Sequence, residues 1–147
     1  AAPPRAPARP RSPPPAASWS RLRRALAELV QALHALHEAG RVHRDVKPAN
    51  VIVTAADRAV LFDFGLAAEL QPAPSGGAGA RALAGTPAYM APEQALGEPA
   101  TRAADLYAVG VILYEALTGA LPFSGEVATV LHNKVHLTPR PARDLAP

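Results

Sequence analysis

Eight residues, His43-Arg44-Asp45-Val46-Lys47-Pro48-Ala49-Asn50, concentrate the chemistry-bearing side chains of this sequence. A carboxylate, an ammonium and an amide follow one another at intervals of two and three residues, on a loop bent at Pro48. Such a set offers a base for a hydroxyl, a cation for a phosphate and an oxygen for a metal, which is the equipment of phosphoryl transfer. Asp63-Phe64-Gly65 follows, with Asp63 placed 18 residues after Asp45. Between them, Val51-Ile52-Val53 reads as a short buried strand, Thr54 to Arg58 as a polar turn, and Ala59-Val60-Leu61-Phe62 as a second strand. Two strands ending side by side bring Asp45, Asn50 and Asp63 to one mouth. Three oxygen-bearing side chains there suit a hard cation such as magnesium, which keeps water and substrate phosphate as its other ligands. Taken alone, the octet also fits a polar loop entering a strand, and Asp63-Phe64-Gly65 a common turn. Their order and interval carry the reading.

The elements that must position these residues are mostly helical. Ser20 can cap a helix in which Leu22, Leu26, Leu29, Leu33 and Leu36 recur at spacings of four and three, and Gly40 closes it. His34 and His37 lie in this helix without partners at metal-ligand spacing and read as ordinary helix residues. Downstream, Leu66 to Leu83 is polar, glycine-containing and without period, so it reads as a long functional or disordered loop. Pro92-Glu93 can start a helix. Asp105 begins another, whose residues 106 to 117 carry one charge, Glu115. A helix apolar nearly all round is a buried one, and twelve such residues are too few for a membrane. Thr118-Gly119 stops it, Glu126 to Val135 forms one more short helix, and Pro139, Pro141 and Pro147 break further structure.

Composition bounds the remainder. A chain of 147 residues suffices for one domain with a core. Its formal charge of +3 comes from Arg5, Arg9 and Arg11; from Ser12 onward, basic and acidic residues balance at 12 each. The balance argues against a nucleic-acid partner. Seven of the 17 prolines fall in residues 1 to 18, a Pro/Ala/Arg-rich segment unable to offset its ordering entropy and expected to be disordered. The chain contains no cysteine, no apolar stretch of membrane-spanning length and no apolar signal region at its start. The expectation is a soluble, cytoplasmic protein.

The octet resembles the catalytic loop of eukaryotic-type serine/threonine protein kinases, and its surroundings carry the resemblance over roughly residues 20 to 147. Asp63-Phe64-Gly65 stands at the family's usual interval, and Gly85-Thr86-Pro87-Ala88-Tyr89-Met90-Ala91-Pro92-Glu93 looks like the substrate-docking end of the activation segment. The 12 residues from Glu93 to Asp105 also fit. The general look, Val109-Gly110-Val111-Ile112-Leu113-Tyr114-Glu115-Ala116-Leu117-Thr118-Gly119 included, is most like bacterial members. The resemblance implies a mainly α fold, the C-terminal lobe of the α+β kinase architecture, with short strand pairs at the active-site edge. It implies ATP and Mg2+ as cofactors and a protein serine or threonine as acceptor. It assigns Asp45 as base, Lys47 to the transferred phosphate, Asn50 and Asp63 to magnesium, and Ile52 to the floor under the adenine. By the same resemblance Thr86 contacts Asp45 and marks serine/threonine specificity, His43 packs with Phe64, Gly65 completes its motif, Glu93 awaits an arginine, and Asp105 holds the catalytic-loop backbone. Kinases with an arginine at the position of Arg44 are often switched by a phosphate on the activation segment. Between Gly65 and Gly85 the only hydroxyl residue is Ser75, so phosphorylation is expected to be dispensable and Arg44 to donate to the loop backbone.

No glycine-rich loop precedes residue 20 and no lysine precedes Lys47. Residues 19–147 therefore read as a partial catalytic domain without the nucleotide-clamping lobe and the last helices, expected to be inactive alone and marginally stable. The competing reading is a truncated kinase or pseudokinase piece serving as a non-catalytic protein-interaction module. Retention of Asp45, Lys47, Asn50 and Asp63 together favours the enzyme, since a binding module has no use for all four.

Overall fold

The computed structural model describes residues 16–63, 68–69 and 85–145. Helix α1 runs Ala16–Glu38. Pro15 is the last proline before it, and from Ala16 to Glu38 no proline or glycine interrupts a run of good helix formers. The helix therefore begins four residues ahead of Ser20, which is not its cap, and takes in the last residues of the segment expected to be disordered. Leu29 and Leu33 are fully buried on its inner face, while Arg21, Arg23 and Arg24 are exposed on the outer one. Gly40, at φ 72°, turns the chain out of the helix, its N–H donating to the His37 carbonyl at 3.0 Å.

Strand β1 (Arg41–Val42) pairs antiparallel with β4 (Ala68–Glu69), Val42 opposite Ala68. A 3-10 turn over Pro48–Asn50 leads from the octet into β2 (Val51–Val53), which pairs antiparallel with β3 (Ala59–Leu61). In this hairpin the Val51–Leu61 pair faces the core, whereas the Ile52–Val60 pair lies outside, at 54% and 48% exposure. The strands are thus not buried on both sides, because α1 covers one face and side chains alternate along a strand.

The remaining helices are α2 (Pro92–Ala95), α3 (Arg102–Thr118) and α4 (Val127–His136), followed by a 3-10 turn over Ala142–Asp144. The Thr101 hydroxyl caps α3 by accepting from Ala103 N–H at 3.2 Å, so the helix starts three residues before Asp105. Gly119, in the left-handed region at φ 71°, ends it. Helix α3 is buried along Ala104, Asp105, Ala108 and Val111 but exposes Leu106 and Leu113, so it is covered on one side among the described residues rather than all round. The core joins Leu29 and Leu33 of α1 to Val46 of the octet, Leu61 of β3 and Ala108 of α3. Burial of each large aliphatic side chain is worth about 2 kcal/mol. Val46, the apolar residue inside the octet, thereby fastens the loop between the two long helices. Helix α4 packs on α2. Among the described residues no helix is long and apolar enough to cross a membrane.

Candidate active site

Asp105 organises the octet from beneath. Only 1% exposed, its Oδ2 accepts from the His43 N–H at 2.9 Å and its Oδ1 from the Arg44 N–H at 2.8 Å. A carboxylate taken out of water needs such donors, and a loop with free amides needs such an acceptor. The second contact of Oδ2 is His37 Nε2, at 2.7 Å, reaching across from the buried face of α1. His37 is thus no ordinary helix residue but a third support of the Asp105 carboxylate. Arg44 sits at φ 73°, and its carbonyl accepts from Gln94 Nε2 at 3.1 Å while Gln94 Oε1 accepts from Ala91 N–H at 3.0 Å. Backbone strain of this kind persists only where the surroundings over-determine it. Here two flanking carboxylate bonds and a glutamine do so. The Arg44 backbone ties the loop through both its N–H and its carbonyl; the segment 70–84, toward which its side chain was expected to act, lies outside the described residues.

Asp45 is 8% exposed, and every contact of its carboxylate is a donor. Lys47 Nζ donates to Oδ2 at 2.5 Å, Thr86 N–H and Thr86 Oγ1 donate to Oδ1 at 2.8 and 2.9 Å, and Asn50 Nδ2 approaches Oδ2 at 3.3 Å. Lys47 Nζ also donates to Thr86 Oγ1 at 2.9 Å, closing a three-membered ring of carboxylate, ammonium and hydroxyl. Burial pulls the Asp45 carboxyl upward, but the Lys47 and Thr86 hydrogen bonds and the Lys47 charge outweigh it and hold the group below the usual carboxylate range. Asp45 is therefore ionised at neutral pH and accepts hydrogen bonds only.

Thr86 reaches Asp45 from 41 residues away because Gly85 lets the chain pass. Gly85 has φ 122°, and a β-carbon there would stand 2.9 Å from the Arg44 carbonyl oxygen. Only glycine meets both demands. The turn beyond it is closed by Tyr89 and Met90 N–H donating to the Thr86 carbonyl at 2.9 and 3.1 Å. The Tyr89 hydroxyl donates to Glu115 Oε2 at 2.7 Å, and burial, helped by that carboxylate, holds the phenol well above its ordinary value. Glu115, the one charge between residues 106 and 117, thus ties the turn to α3.

Asn50, 4% exposed, directs Nδ2 to the Asp45 carbonyl at 2.9 Å, which leaves its Oδ1 as an acceptor. Phe62 N–H donates to the Asn50 carbonyl at 3.0 Å, so Asp63 is the next residue beyond the one paired with Asn50. Asp63 is exposed and in the left-handed region at φ 63°. An amide oxygen and a carboxylate at one hairpin end are hard donors that fit magnesium. Among the described residues no three His, Cys, Asp or Glu side chains gather as a metal cage. Magnesium does not require one, since it keeps water and phosphate as ligands.

His43 is fully buried, with Nε2 3.2 Å from the Phe62 carbonyl oxygen. Its expected partner Phe64, with Gly65 and Ser75, lies outside the described residues. Ile52 stands on the exposed outer face of the hairpin. Glu93 is half-buried in the first turn of α2 and has no ion pair among the described residues. Sequence reasoning missed His37, Gln94 and Glu115 as parts of the site, and gave Gly85 and Tyr89 no role beyond membership of their motif. A polar residue on an apolar helix face was the available signal for His37, and the isolation of Glu115 in an apolar run was the signal for Glu115.

A family profile described as a protein kinase domain matches residues 15–141. The chain is 41% identical over 120 residues to a probable serine/threonine-protein kinase PknB of Corynebacterium glutamicum, covering 81% of this chain and 19% of that protein. It is 44% identical over 123 residues to serine/threonine-protein kinase PknA of Mycobacterium tuberculosis, covering 82% and 28% respectively. With serine/threonine-protein kinase pkn3 of Myxococcus xanthus it shares 42% identity over 127 residues, covering 82% and 23%. The chain thus spans less than a third of the length of each of these curated relatives.

Proposed function

This chain belongs to the protein kinase domain family, and from that premise we propose that it carries the acceptor-side half of a serine/threonine protein kinase. Residues 19–147 correspond in this reading to a partial catalytic domain, mostly the C-terminal lobe, acting in the cytoplasm on ATP and a protein hydroxyl. The observation that carries it is the ring of Asp45, Lys47 and Thr86, in which an ionised carboxylate, an ammonium and a hydroxyl meet at 2.5 to 2.9 Å.

Asp45 accepts the hydrogen bond of the incoming serine or threonine hydroxyl, orients its oxygen toward the γ-phosphorus and takes the proton as the bond forms. A carboxylate held below its usual range is a weak base. That suffices where the transition state is loose and the hydroxyl loses its proton late. Lys47 supplies positive charge to the phosphoryl oxygens, its ammonium fixed between Asp45 and Thr86. Thr86 fills the space beside Asp45 with a hydroxyl, which suits a short acceptor side chain. Asn50 and Asp63 would hold magnesium through their oxygens, and the ion would supply positive charge to the phosphates. Asp105, itself held by His37, fixes the loop amides so that none of these groups has to reorganise during the reaction.

The acceptor class is tested by incubating the full-length protein with radiolabelled Mg-ATP and a mixed protein substrate, then hydrolysing the product to its amino acids. Phosphoserine and phosphothreonine are expected. Label found on tyrosine would contradict the assignment of Thr86.

A further inference from the structure

Lys134 on α4 is a buried cation outside the ring around Asp45. It is 5% exposed, and among the described residues it forms no ion pair. Its Nζ donates to the Ala88 carbonyl at 2.9 Å and stands 4.9 Å from the centre of the Tyr107 ring of α3. Burial pushes the ammonium down to about 8. An ammonium in such a place is costly to keep, and a methionine would fill the same volume without the penalty. What the lysine adds is a donor for one carbonyl, and that carbonyl lies in the middle of the turn 86–90. The turn starts at Thr86, whose amide and hydroxyl both hold Asp45. It is closed by Tyr89 and Met90 N–H on the Thr86 carbonyl. Tyr89 is fastened to α3 through Glu115. Among the described residues, no other side chain holds the Ala88 carbonyl.

We propose, resting on the phosphotransfer reading above, that Lys134 is a positioning residue for the acceptor peptide: it draws the Ala88 carbonyl toward α4 and fixes the backbone of turn 86–90 on which the acceptor docks. Helix α4 is then part of the acceptor-binding apparatus. Its loss acts on the peptide and not on ATP, since Lys134 touches the turn and neither Asn50 nor Asp63.

The test uses the full-length protein, its Lys134→Met and Lys134→Arg variants, and the serine peptide that the wild type phosphorylates best in an arrayed library. Lys134→Met raises KM for that peptide about tenfold, the equivalent of one charge-assisted hydrogen bond, with KM for ATP within about twofold of wild type. Its Tm at pH 7 stays level or rises, and Lys134→Arg recovers part of the peptide affinity. Independently of activity, hydrogen exchange of the Tyr89 and Met90 amides quickens in Lys134→Met. An unchanged KM for peptide overturns the proposal. So does a fall of Tm with equal losses for peptide and ATP, which marks a merely structural lysine. If the wild type transfers no phosphate at all, the phosphotransfer reading itself falls, and this proposal with it.

Discussion

Lys134 separates stability from function within one side chain. Its ordinary value is 10.5, and burial lowers it to about 8 in the folded chain. Between these values the unfolded chain binds the proton more strongly, so stability rises with pH across the window and is lost as pH falls through about 8. The Tyr107 phenol facing it is held above its ordinary value by burial and by the Glu93 carboxylate, and stays neutral over most of that range. The shift corresponds to about 3 kcal/mol at most, and Lys134→Met, which also leaves the Ala88 carbonyl without its donor, is expected to be level with or more stable than wild type at pH 7 by less than that. The gap should close as the pH approaches 10, as followed by denaturant unfolding at each pH. A gap independent of pH would show that the ammonium carries no burial cost. At this scale the sequence was most legible where partners are neighbours in the chain. Asp45, Lys47 and Asn50 sit within six residues, and their mutual hydrogen bonds follow from one loop. His37 and Gln94 act across 68 and 50 residues, and nothing local announces such a partner.

At the scale of elements, α1 and α3 meet the octet through one carboxylate. Asp105 belongs to the first turn of α3, yet it serves no cap, since Thr101 does that. Instead it leaves two loop amides and one imidazole without an acceptor if it is removed. Each stranded buried donor costs about 1–3 kcal/mol, so Asp105→Ala should destabilise by more than about 3 kcal/mol. Asp105→Asn, which keeps one acceptor oxygen, should cost less. Urea unfolding of both variants beside wild type checks the order, and equal small losses would remove Asp105 from this role. Helix existence was plain from the leucine period of α1 and the apolar run of α3, but their starts were not. Alanine propensity carried α1 back to Ala16, and the Thr101 cap carried α3 back to Arg102. The two hairpin strands were placed well and their burial was not, because a two-stranded hairpin against one helix covers a single face; β1 and β4 were not foreseen, and β4 lies in the stretch 66–83 read as a loop, since two-residue strands pair across the chain and leave no period in the sequence.

Over the whole molecule, the described residues form a support more than a closed body. Helices α1 and α3 enclose the octet, and the β2–β3 hairpin presents Asn50 and Asp63 at one end and the apolar pair Ile52 and Val60 on its outer face. The arrangement makes one claim above the rest, that the Asp45 carboxylate acts on the acceptor hydroxyl and not on the nucleotide. The measurement that tests it most directly is the full-length protein carrying Asp45→Asn, assayed for phosphate transfer and, on the same preparation, for ATP dissociation. The substitution keeps size and hydrogen-bonding shape but removes the base and the charge that pairs with Lys47. Turnover should fall by at least about a hundredfold, the usual contribution of a positioned base, with ATP affinity changed by less than about threefold. Turnover left near wild type, or lost only in step with ATP affinity, would contradict the account.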